Sequence, residues 1–193
     1  MKSSKIPLLQ RSGVARLTDA MKQAPINPNL TRAIPSPIME AGGWVAAHPP
    51  PPGRNLIDLR QAVPAGPPSE AIRRAMADAA LNDPGSHLYG AVLGRDALRE
   101  GIASAWRDIY QGEITAAQVG VTAGCNQAFC AAISSLAGAG DEVILPTPWY
   151  FNHKMWMDMS GITAVPLATN QDSLPDVAPA ASPITDRTRA IAL

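Results

Sequence analysis

Between Val119 and Tyr150 the chain reads VGVTAGCNQAFCAAISSLAGAGDEVILPTPWY, a short apolar run that breaks at Gly124 into a helical pattern and then returns to a second apolar run. A helix that begins directly after a strand and a glycine aims several unpaired backbone N–H groups, and the positive end of its dipole, at one spot. That spot favours an anion, and a phosphate is the first candidate. Gly124 lets the backbone come close to such a group, while Cys125 and Asn126 bring the first N–H groups of the helix. By itself, a strand, a glycine turn and a helix with no lysine occur in any doubly wound fold and do not name a ligand.

Cys125 and Cys130 are the only cysteines. They have no second pair and no histidine at metal-ligand spacing, so neither a zinc site nor a disulfide framework is supported. A thiolate at the start of a helix is stabilised, yet no histidine base lies within local sequence reach of Cys125, and no nucleophilic role is assigned to it. Trp149 and Tyr150 close the second apolar run. Out of context both read as core aromatics; at the carboxyl end of a strand, an aromatic can also offer its face to a ligand.

The elements that must position these residues alternate between extended and helical segments from Asn55 onward. NLIDLRQAV is a short extended segment, and PAGPP is a turn. Ser69 is placed to cap a helix with Ile72, Ala75, Met76 and Ala79 on one face, ending near LNDPG. RDALREGIASAWRDIYQG carries Leu98, Ile102, Ala105, Trp106 and Ile109 on one helical stripe. ITAAQ reads as a capped turn, VGVT as a buried strand and NQAFCAAISSLA as a helix. EVILP is the next strand, succeeded by a helix over 150–159, the strand TAVPL, and a last strand beginning at RAIAL that contains Leu193. Such alternation predicts an α/β fold with a mostly parallel sheet and helices on both faces.

Residues 1–53 differ in tone. A short helix is expected over Val14–Gln23, but APINPNL, AIPSPI and HPPPPG favour an extended polyproline course, so this part is expected to be an extended arm and linker. Sixteen basic residues balance sixteen acidic ones over 193 residues, which points toward a small molecule and away from nucleic acid or an anionic membrane surface. No apolar stretch is long enough to span a bilayer, and the opening residues lack the apolar core of a signal peptide, so a cytoplasmic protein is expected.

Taken in order, DLRQAVPAGPP, HLYGAVLGRDALREGIA, VTAGCNQA, GDEVILPTPWY and TAVPL resemble the first half of the class I and II aminotransferases, the fold-type-I enzymes that use pyridoxal 5'-phosphate. The resemblance runs from about Asn55 to Leu193. It implies that 54–193 is the N-terminal part of the cofactor-binding large domain. It implies that Gly124, Cys125 and Asn126 hold the cofactor phosphate and that Tyr150 stacks on its pyridine ring. It also implies that Tyr89 reaches across a homodimer to the partner's cofactor phosphate, and that the loop Gln61–Ala65, with Ala62 and Val63, lies near the substrate carboxylate. Many relatives carry glycine where this chain has Ala62. The implied substrates are an amino acid and a 2-oxo acid.

The lysine that in this family bonds the cofactor and then carries a proton has no counterpart here, nor have the Asn, Asp and Arg that accompany it. Lys2, Lys5 and Lys22 fall in the arm, and Lys154 sits one helical turn past Tyr150, where a solvated charge is expected. The resemblance therefore implies a chain cut short and inactive alone, one that aggregates or needs a partner. Three other outcomes stay open: a carbon–sulfur lyase of the same fold, a non-catalytic pseudoenzyme or dimer partner, and a nucleotide-binding α/β protein.

Overall fold

The computed structural model describes residues 25–64, 66–175 and 183–193. Lys2, Lys5, Lys22, Ala65 and the helix expected over Val14–Gln23 lie outside these residues. Five α-helices and three strands are described: α1 (Pro37–Ala47), α2 (Glu70–Asn82), α3 (Asp96–Tyr110), α4 (Cys125–Leu136), β1 (Glu142–Thr147), α5 (Phe151–Ser160), β2 (Thr163–Ala168) and β3 (Thr188–Ile191). Short 3-10 turns sit at Leu30–Arg32, Pro84–His87 and Ala116–Gln118.

The strands form one parallel sheet in the order β2-β1-β3, as an α/β fold with crossover connections requires. Along β1 and β2 the register runs from Glu142 opposite Thr163 to Thr147 opposite Ala168. The pairing with β3 shifts between Glu142 and Val143. Val143 and Leu145 point to one face, where they bury with Ile133 of α4, Met157 of α5 and Ile162. Ile144 points to the other face and buries with Leu167, with Val165 packed beside them. This apolar burial on both faces is what a central parallel strand demands.

Local signals account for several element boundaries. The Ser69 hydroxyl accepts from the Ile72 N–H at 3.5 Å, and Glu70 pairs with Arg74 one turn later, so α2 starts where a cap and an acidic first turn allow. Thr115 and Gln118 form the reciprocal capping pair of the ITAAQ turn. Gly161, at φ 73, closes α5 in a conformation glycine adopts without strain.

The structure corrects four expectations. AIPSPI is not extended throughout: Pro37 stands at the first turn of α1, the one helical position where a missing N–H and a preset φ are tolerated. VGVT is not a strand. Val121 donates one bond to the Leu93 carbonyl at 2.9 Å. The Arg99 guanidinium takes the Val119 carbonyl at 2.9 Å, so a ladder partner is replaced by a side chain. Leu193 lies past the end of β3 and is exposed, the last pairing bond being Ala192 N–H to the Ile144 carbonyl. On α3 the residue in the core is Ala103, while Leu98, Trp106 and Ile109 stay at least half exposed, because the element α3 packs on is the Ala116–Gln118 turn.

No helix among the described residues is long and apolar enough to cross a membrane.

Candidate functional site

Gly124 precedes α4 at φ 91 and ψ 164, a backbone state open in practice to glycine alone. A Cβ placed there would meet nothing within 4 Å, so space lies open in front of this turn. No side chain caps α4, which leaves the N–H groups at Cys125 and Asn126 aimed outward with the helix dipole behind them. The turn is braced from within: the Thr122 hydroxyl donates to the Gly124 carbonyl at 2.9 Å, and the Gln127 side chain accepts the Ala123 N–H at 2.6 Å. A helix start braced in this way and left uncapped presents its N–H groups where an anion could accept from them.

The same start of α4 borders a cleft of about 530 Å³ at the carboxyl ends of β1 and β3. Cys125, Phe129, Pro148, Trp149, Tyr150 and His153 line it, and Ala192 reaches it from the end of β3. In a parallel sheet this end, where a strand hands over to its crossover helix, is where ligands bind. Tyr150 stands immediately before α5, half exposed, with its hydroxyl accepting from the Asn152 amide at 2.8 Å. Its half-exposed ring lines the cleft.

His153, one turn into α5, is a cleft residue that sequence reasoning missed. Its ring lies flat on Phe129 of α4, with centroids 3.7 Å apart and planes 9° from parallel. It meets Tyr150 edge-on at 5.1 Å and 84°. Burial among these groups pushes its pKa below the ordinary histidine value and favours the uncharged ring. The spacing of Tyr150 and His153 at i and i+3 on a helix was the available signal; the partner ring of Phe129 was not visible without the fold.

The other residues expected at the site lie elsewhere. Asn126 has its backbone at the start of α4, but it lines a separate groove of about 220 Å³ with Cys130, Asn152 and Trp156. Val63 lines a groove of about 680 Å³ beside α1, with Asp58, Arg60 and Gln61. There the Arg60 guanidinium, bonded to Asp58, holds that carboxyl down at about 2. Ala62 is exposed beside Val63. Tyr89 is fully exposed on the loop after the Pro84–His87 turn, away from the cleft. Lys154 is not a free surface charge: Asp158 takes its ammonium with both oxygens at 2.5 Å, and it stands 5.7 Å from the Trp149 ring centre.

Residues 54–188 match the family described as aminotransferase class I and II. The chain belongs to this family.

As a class I and II aminotransferase it is 34% identical over 105 residues to the aromatic aminotransferase ISS1 of Arabidopsis thaliana, a match that covers 54% of this chain and 26% of that protein. It is 35% identical over 99 residues to the probable kynurenine–oxoglutarate transaminase BNA3 of Saccharomyces cerevisiae, covering 51% of this chain and 22% of the relative. Among solved structures, YbdL from Escherichia coli, identified by its crystal structure and reactivity as having a methionine aminotransferase function, superposes with a TM-score of 0.73 at 25% identity. That superposition covers 87% of this chain and 42% of YbdL. The chain thus spans less than half the length of the relatives it matches.

Within the matched region the LRE segment has a physical role of its own. The Arg99 guanidinium, 13% exposed, donates to the carbonyls of Val119 and Ala116 and so ties α3 to the segment that leads into Gly124.

Proposed function

We propose that the protein is an aminotransferase that uses pyridoxal 5'-phosphate to move an amino group from an amino acid to a 2-oxo acid. The observation that carries this reading is the single cleft shared by the uncapped start of α4 and the ring of Tyr150. The donor set fits the cofactor: an anion site formed by backbone N–H groups, open space at Gly124, and an aromatic ring that lines the same cleft as Cys125. When bound, the cofactor supplies an electron sink for the carbon that carries the amino group.

In this reading Gly124, Cys125 and Asn126 hold the phosphate through their backbone, Tyr150 lies against the pyridine ring, and Leu145, Pro146 and Trp149 keep water from the inner wall. Ala62 and Val63 stand on the side of the substrate carboxylate. Tyr89, fully exposed and outside its own cleft, serves the second subunit of a homodimer. Lys154, committed to Asp158, is not the group that bonds the cofactor.

Titration of the protein with pyridoxal phosphate, monitored by cofactor absorbance, tests the reading. Saturable binding that weakens in Tyr150→Ala and in Gly124→Val is expected, with no borohydride-trapped cofactor on Lys154. Absence of binding, or binding indifferent to both substitutions, would overturn it.

A further inference from the structure

Three rings cross the cleft wall in sequence. Phe129 lies one turn along α4 from Cys125, His153 lies flat against Phe129, and Tyr150 meets His153 edge-on. The anion end of the cleft belongs to α4 and the aromatic end to the residue that opens α5. Among the ring pairs of the described residues, His153 alone meets both Phe129 of α4 and Tyr150; Phe151, outside the cleft lining, meets Tyr150 at 5.3 Å. Phe129 is packed into the main core cluster, so the surface that His153 rests on is itself fixed.

We infer that His153 is a positioning residue: its ring, wedged between Phe129 and Tyr150, sets the plane and height of the Tyr150 ring relative to the start of α4. The role belongs to the flat ring and not to its nitrogens. Among the described residues, neither ring nitrogen has a protein hydrogen-bond partner, and burial favours the uncharged form that stacks on a hydrocarbon ring without desolvating a charge. A tyrosine held only by its backbone and the Asn152 amide would sample several χ1 states; an edge-to-face contact from a ring that is itself stacked removes that freedom.

This inference rests on the reading of Tyr150 as the face for the cofactor ring, and its test separates the two. The protein and its His153→Asn and His153→Phe variants are titrated with pyridoxal phosphate and, separately, with inorganic phosphate. His153→Asn is expected to bind pyridoxal phosphate about three- to tenfold more weakly, the range of an aromatic pair, with phosphate affinity unchanged. His153→Phe, which keeps a flat ring, is expected to restore the wild-type value. Equal loss of both ligands, no loss of either, or a Phe variant that behaves like the Asn variant would each overturn the assignment. A second readout needs no ligand. The ring-proton shifts of Tyr150, tracked by NMR with labelled tyrosine, are expected to move in His153→Asn and to recover part of the way in His153→Phe. If they stay in place in the Asn variant, His153 does not position Tyr150. If the wild-type protein binds no pyridoxal phosphate while the shifts behave as stated, the cofactor reading fails and the ring contact stands.

Discussion

Arg187, on the turn before β3, donates to the carboxylate of Glu142, the buried first residue of β1. The second oxygen of that carboxylate accepts from the Thr185 hydroxyl at 2.6 Å and from the Thr188 hydroxyl at 3.5 Å. The contact spans the point where the β1–β3 register shifts, so a polar anchor holds the strand start at which backbone pairing is irregular. Burying a carboxylate is tolerated only with such partners.

This anchor predicts a pH dependence. The Thr185 hydroxyl, with Arg187 and Thr188 adding to it, holds the Glu142 carboxyl below its ordinary value of 4.5 against the opposing effect of burial. A folded value below the unfolded one means that the stabilisation is complete above pH 4.5 and is lost as the pH falls through the folded value. Asp58 and Asp83 are also held low by Arg60 and Arg95, so the contribution of Glu142 is read as a difference. The urea midpoint of the wild-type protein is expected to fall more steeply on acidification below about pH 5 than that of Glu142→Gln. Parallel curves would remove Glu142 from the anchor.

Gly124→Ala tests the backbone at the anion site. An added Cβ meets no neighbouring atom, so the penalty comes from the φ of 91 alone, about 1–3 kcal/mol. Denaturant unfolding is expected to show that loss, and pyridoxal phosphate binding to weaken with it as the turn relaxes. An alanine variant of unchanged stability would show that the turn adopts another conformation in solution.

Arg99→Lys separates charge from geometry. One ammonium cannot reproduce a fork that serves the Val119 and Ala116 carbonyls together, so the lysine variant leaves at least one carbonyl without its donor. A loss of about 1–3 kcal/mol is expected in urea unfolding. If lysine matches arginine, the fork contributes only its charge.

Tyr150→Phe keeps the stacking face and removes the hydroxyl that accepts from Asn152. Affinity for pyridoxal phosphate is expected to stay within about twofold of wild type, whereas Tyr150→Ala loses about 1 kcal/mol, roughly fivefold. Equal losses in the two variants would shift the role of Tyr150 from its face to its hydroxyl.

The amino-acid sequence by itself determined the elements whose signals lie within a few residues of one another: the Ser69 cap, the Thr115–Gln118 capping pair, the apolar runs of β1 and β2, and the ordered motifs that mark the family. Each is a contact made along the chain, so spacing alone reveals it. Pro37 shows the limit even here, since the same proline can open a helix or extend a linker, depending on its neighbours. Only the tertiary structure decided which side chains share the cleft. Cys125, Phe129, Tyr150, His153 and Ala192 come from three elements, and the register of β1 and β3 brings them together. The same packing turned Asn126 into a different groove and paired Lys154 with Asp158. These are contacts across space, set by how helices rest on a sheet, and no interval along the chain encodes them.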